Sequence, residues 1–107
     1  MKKSDFEITE EETPKGTKFT IKGQVSSDSA DELQEKLQNA LKSGQKNLIL
    51  NMMWVKFLSS SGIRVILKVF QDAKKSGGRL VIELPSKNVK NVLGMAALDE
   101  MLIMNDN

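Results

Sequence analysis

The chain contains neither cysteine nor histidine, and these two absences remove most of the ways in which a small domain is stapled or made catalytic. Without thiols there is no disulfide framework and no thiolate nucleophile. Without imidazole there is no base that titrates near neutral pH and no common zinc ligand set. Long apolar runs are missing as well: no stretch approaches the roughly 20 apolar residues that span a bilayer. The opening residues Met1, Lys2 and Lys3 are followed by Ser4, Asp5 and Phe6 rather than by an apolar run, so the expectation is a cytoplasmic protein with no membrane partner. An excess of one charge is also lacking. Sixteen basic and 14 acidic residues leave a net charge of +2, dispersed and without interleaved aromatics, which gives no reason to expect nucleic acid as a partner.

At 107 residues the whole chain, 1–107, is expected to form one domain that buries about two thirds of its unfolded surface in a single core. Phe6 to Thr9 and Thr17 to Lys22 read as strands joined by an acidic turn over 10–16, punctuated by Pro14 and Gly16. Ser29 and Glu32 have capping-box spacing, and Leu33, Leu37 and Leu41 recur every four residues, which predicts a helix from Ala30 to Lys42. Asn47 to Asn51 is short and branched and carries the continuous apolar run Leu48-Ile49-Leu50, as a strand covered on both faces would. A helix over Ser60 to Ser76 places Ile63, Ile66, Leu67, Phe70 and Ala73 on one face, and Gly77-Gly78 ends it. Arg79 to Leu84 supplies another strand, which Pro85 stops, and a short helix carries Val89, Val92 and Leu93 up to Gly94. The tail from Leu98 to Met104 fits no single element, and Met95, Met101 and Met104 are expected to fill the core. Alternating strands and helices of these lengths predict an α/β domain with a mixed sheet of four or five strands and helices mainly on one face. With one apolar face on the first helix, the expected isolated state is a monomer.

The most pointed local feature is the run from the buried-looking strand into Ser59-Ser60-Ser61-Gly62. It sets hydroxyls at a helix N-terminus, where backbone N–H groups lack partners and the helix dipole is locally positive. Such a serine either caps the helix or offers a hydroxyl beside an anion site. The order Leu48-Ile49-Leu50-Asn51, Val55-Lys56-Phe57-Leu58-Ser59-Ser60-Ser61-Gly62-Ile63-Arg64-Val65-Ile66-Leu67 and Gly77-Gly78-Arg79-Leu80-Val81-Ile82, with Gly23-Gln24-Val25 at an earlier turn, resembles the STAS domain of bacterial anti-sigma-factor antagonists over nearly the whole chain.

That resemblance implies a single STAS-like domain that binds an anti-sigma factor, often itself a serine kinase, in a partner-switching pathway. Ser60 matches the family's phosphorylated serine by its spacing to Phe57 and Gly62, with Ser59 acting at most as a cap. Ser59 and Ser26 stand where many members carry Asp. The expected partner-binding set is Ser59, Ser60, Ser61, Arg64, Ser26, Met53 and Trp54, with Arg64 one turn from Ser60 and able to pair with a phosphate there. Trp54, preceded by the flexible thioethers of Met52 and Met53 in a strand-end loop, has two readings: an interface anchor, or a side chain folded back to complete the core. No cofactor, metal or catalytic residue is implied. The competing functions are a divergent STAS interaction or small-ligand module that is not phosphorylated, and an enzyme with Ser60 as nucleophile. The enzyme lacks a histidine base and any Ser-x-x-Lys motif around the site.

Overall fold

The structure is a computed structural model and describes residues 5–102. Its elements are β1 (Phe6–Thr13), β2 (Gly16–Val25), α1 (Ser27–Lys42), β3 (Asn47–Leu58), α2 (Ser60–Lys75), β4 (Arg79–Glu83), α3 (Lys87–Met95) and α4 (Asp99–Leu102). The four strands form one mixed sheet in the order β1-β2-β3-β4, antiparallel between β1 and β2 and parallel from β2 to β4. This is the expected α/β architecture.

The acidic segment expected as a turn is largely strand: Glu10, Glu11 and Glu12 pair with Phe19, Lys18 and Thr17. Only Pro14 and Lys15 remain in the turn, closed by the Thr13 hydroxyl donating to the Gly16 carbonyl at 2.8 Å. Ladder hydrogen bonds and the Glu11–Lys18 pairing outweigh the poor strand propensity of glutamate. The start of α1 also moves. Ser26 is its N-cap and Ser29 lies in the first turn, its Oγ accepting from the Ser26 N–H and donating to the Gln24 carbonyl, both at 2.8 Å. The helix therefore begins three residues before Ala30.

The core lies on one face of the sheet. Phe19 and Ile21 of β2, Leu48, Leu50 and Met52 of β3, and Leu80 and Ile82 of β4 pack there with Leu33 and Leu37 of α1 and Ile66 and Val69 of α2. Each such side chain, fully buried, contributes about 1.5–3 kcal/mol. The buried stripe of α2 is Gly62, Val65, Ile66, Val69 and Ala73, offset from the expected one, and Ile63, Leu67 and Phe70 are only half-buried at its edge. Gly78 sits against the Lys46 carbonyl, where a Cβ would collide with backbone. Among the described residues no helix is long and apolar enough to cross a membrane. Met95 is 84% exposed and Met101 is exposed as well, so neither fills the core, while Leu102 of the tail is buried. Met104 lies outside the described residues.

Candidate functional site

Parallel pairing brings two helix starts to one end of the sheet. The last residues of β2 and β3, Val25 and Leu58, are register partners, and each is followed by one capping serine, Ser26 for α1 and Ser59 for α2. The Ser59 N–H donates to the Val25 carbonyl at 2.9 Å, and the Ser59 Oγ accepts from the Gly62 N–H at 3.1 Å. Ser59 is thus a cap, as its position required. The Ser27 and Ser61 hydroxyls lie 3.4 Å apart and join the two helix starts. Gly62 permits the close fit, because a Cβ there would stand 2.7 Å from Val25 Cγ1 and 2.8 Å from Leu58 Cδ1.

Ser60 is the first residue of α2 and is exposed. Its hydroxyl makes no hydrogen bond to another group among the described residues, whereas Ser59 is occupied by the cap and Ser61 by Ser27. Both 16-residue helices point their positive ends to this corner, and the first turn of α2 carries no acidic side chain. The first turn of α1 does carry Asp28, so an anion on Ser60 is electrostatically accommodated chiefly by the α2 end, by about 0.3–1 kcal/mol. Arg64, one turn along α2 and also exposed, lines a groove of about 330 Å3 between the helices with Ser27, Asp31, Gln34, Ser61 and Lys68. Below it the Gln38 amide of α1 donates to the Asp72 carboxylate of α2 at 3.0 Å, which holds that carboxyl below the usual aspartate range, with Lys68 3.6 Å away as a lesser cause.

The structure does not bring Met53 and Trp54 to this corner. They are in strand, not in a loop, because β3 runs on to Leu58 through two bulges, where it slips against β2 between Thr20 and Lys22 and again between Gly23 and Gln24. Gly23, expected in a turn, lies inside β2 at the second slip with φ +93°. Past Asn51 burial recurs every third residue, at Met52, Val55 and Leu58, and the pairs Met53-Trp54 and Lys56-Phe57 are left exposed. The Asn51 carboxamide oxygen accepts from the Met53 N–H at 3.1 Å and shapes the first bulge. Ser86 and Asn88 at the start of α3 bond the Val55 and Lys56 carbonyls at 2.7 and 2.6 Å, closing an edge that β4 is too short to cover. Trp54 is 56% exposed and does not complete the core. It pairs in register with Lys22, and Lys22 with Glu7, on the face opposite Ile21 and the helices. Five residues of extended chain, about 15 Å, separate it from Ser59.

Phe57, 48% exposed, together with Lys22 and Lys56, escaped the sequence analysis, where Phe57 served only to align the serines. The three-residue recurrence of Met52, Val55 and Leu58 follows from the two bulges, and in the sequence alone the same spacing fits a helical turn as well as a bulged strand.

The family model of the STAS domain matches residues 7–107, and the chain belongs to the STAS domain family. Its fold is similar to the anti-sigma factor antagonist SpoIIAA in its unphosphorylated form, with a TM-score of 0.82 at 19% identity over 94% of this chain and 89% of that one. SpoIIAA of Bacillus in its phosphorylated form gives a TM-score of 0.74 at 19% identity over 95% and 91%. An anti-sigma factor antagonist from Mycobacterium paratuberculosis gives 0.82 at 14% identity over 94% and 86%. At these identities the likeness is one of fold.

Proposed function

We propose that this STAS domain is a cytoplasmic anti-sigma-factor antagonist that binds an anti-sigma factor with serine kinase activity and is switched by phosphorylation of Ser60. The observation that carries the proposal is the exposure of Ser60 at the start of α2, between a neighbour fixed as the cap and another engaged with α1. Ser26, Ser59 and Ser61 lie at the caps or first turns of α1 and α2, with Arg64 one turn along α2, and all four belong to the proposed docking surface. Fold likeness to antagonists in both phosphorylation states supports the same function.

Phosphorylation adds about −1.5 to −2 charges and three acceptor oxygens. The α2 end tolerates that charge within the chain, with Arg64 one turn away, so its effect falls on the partner, which must desolvate it or meet it with like charge. A penalty of about 3 kcal/mol on docking lowers affinity more than a hundredfold. In this scheme the chain is a substrate, with the kinase supplying the catalytic groups. No hydrogen-bonded base activates the Ser60 hydroxyl among the described residues, which argues against a serine nucleophile.

Affinity capture by the unphosphorylated chain, followed by incubation of the captured kinase with ATP and mass spectrometry, tests the proposal. Phosphate is expected on Ser60, with none on Ser60→Ala, which still binds; Ser60→Asp binds more weakly. Phosphate on Ser59 or Ser61 at the wild-type rate in Ser60→Ala refutes the assignment. Binding without phosphate on any variant favours the unswitched STAS module, a reading supported by Ser26 and Ser59, where the family resemblance leads one to expect Asp.

A further inference from the structure

The sheet face opposite α1 and α2 has a closed half and an open half. In the closed half Lys18 Nζ and Glu83 Oε2 meet at 2.8 Å across β3, beside buried Ile49. In the open half the bulges of β3 leave Met53, Trp54 and Phe57 exposed together, and Trp54 forms a hollow of about 390 Å3 with Glu7, Lys22, Gly23 and Lys56. We propose that this open half is a second docking surface, separate from the Ser60 corner, for an acidic protein segment. The segment sets an apolar side chain against Trp54 and Phe57 and its carboxylates on Lys22 and Lys56.

Contiguous exposed apolar side chains mark interaction surfaces, and tryptophan is the residue most enriched among binding hot spots. Here the exposure is built in, because each bulge of β3 adds an outward residue that a regular strand would not carry. Lys22 and Lys56 enter no ion pair among the described residues, so they are available to a partner. Charge selects the occupant. Attraction to an anionic bilayer takes clusters of about four to eight cations, and this hollow has two lysines against one glutamate. A second copy would bring to this hollow another surface of the same net positive charge. An acidic segment satisfies both lysines and covers the aromatics.

Trp54 is the chain's only tryptophan and there is no tyrosine, so intrinsic fluorescence reports this face directly. The probes are a tryptophan-free peptide alternating Leu or Phe with Glu, the same peptide with Lys for Glu, and vesicles of phosphatidylcholine with phosphatidylserine. The acidic peptide is expected to shift Trp54 emission to the blue saturably and less strongly at high salt. The double variant Lys22→Glu/Lys56→Glu, checked for an unchanged thermal midpoint, should bind it about tenfold more weakly. Ser60→Asp should bind it as wild type does, which distinguishes this face from the Ser60 corner. The proposal is overturned if the acidic peptide leaves the emission unmoved, if the basic peptide or the vesicles shift it equally, if Ser60→Asp abolishes the shift, or if sedimentation shows that the face is covered by a second copy.

Discussion

Gly62→Ala adds one methyl group at the point where α2 meets the end of the sheet. In an open helix the change is favourable by about 1 kcal/mol, since alanine has the better helix propensity. Here the added Cβ stands 2.7 Å from Val25 Cγ1 and 2.8 Å from Leu58 Cδ1, and both neighbours are buried in the core. Overpacking of this kind costs about 1–3 kcal/mol. Because two methyl groups must yield at once, the steric cost falls in the upper part of that range, about 2–3 kcal/mol, and after the propensity gain a net loss of about 1–2 kcal/mol is expected. Thermal unfolding should show it as a midpoint lowered by about 4–8 °C per kcal/mol for a domain of this size. Val25→Ala removes the nearer methyl, so in that background Gly62→Ala should cost less than in the wild type, a coupling that a double-mutant cycle measures. A higher midpoint for Gly62→Ala, or an equal loss in both backgrounds, would refute the close-approach argument. It would return Gly62 to the status of an ordinary first-turn residue.

Ser59→Ala removes the acceptor of the Gly62 N–H and should cost about 1 kcal/mol in urea titration, whereas Ser59→Asp keeps a cap and should cost little. Gly78→Ala drives a Cβ into the Lys46 carbonyl, which also accepts from the Arg79 N–H at 2.9 Å. Backbone cannot rotate away, so its midpoint should fall further than that of Gly62→Ala. The pH profile of stability should carry two identifiable limbs. Asp72 is depressed, chiefly by the Gln38 amide, so its contribution is present above the usual aspartate range and lost as pH falls through its lowered folded value; Asp72→Asn should flatten that acid limb. Lys18 is raised, chiefly by its hydrogen bond to Glu83, so its contribution is present below the usual lysine range and lost as pH rises through its raised folded value. Lys18→Met should flatten the alkaline limb.

The element boundaries between Ser59 and Pro85 were legible because their signals are unambiguous: Gly77-Gly78 stops α2, Pro85 follows β4, and the Ser59-to-Gly62 run starts α2 where expected. Elsewhere several residues offered the same signal. Ser26, Ser27 and Ser29 can all cap, so spacing alone did not choose among them, and the choice fell to the Ser29 bond to the Gln24 carbonyl. On α2 the apolar residues at 63, 65, 66, 67, 69 and 70 cover more than one face. Which stripe is buried was set by Gly62, whose lack of a side chain lets that edge approach the sheet.

The site was legible in the same uneven way. One capping serine after each of two parallel strands fixes Ser26, Ser59, Ser60, Ser61 and Arg64 at one corner, because register carries that relation. The position of Trp54 depends on how many residues β3 spends between Asn51 and Leu58, and a strand pattern of period two does not contain that count. Each bulge spends one extra residue, reverses the alternation, and turns outward a side chain that a regular strand would bury. The consequence bears on both proposals: Trp54 and Ser60 lie on different surfaces, so a partner held on the aromatics would not be released by a phosphate placed at the helix start. Under the two proposals together, the same small domain would remain tethered through Trp54 while its serine corner exchanges partners.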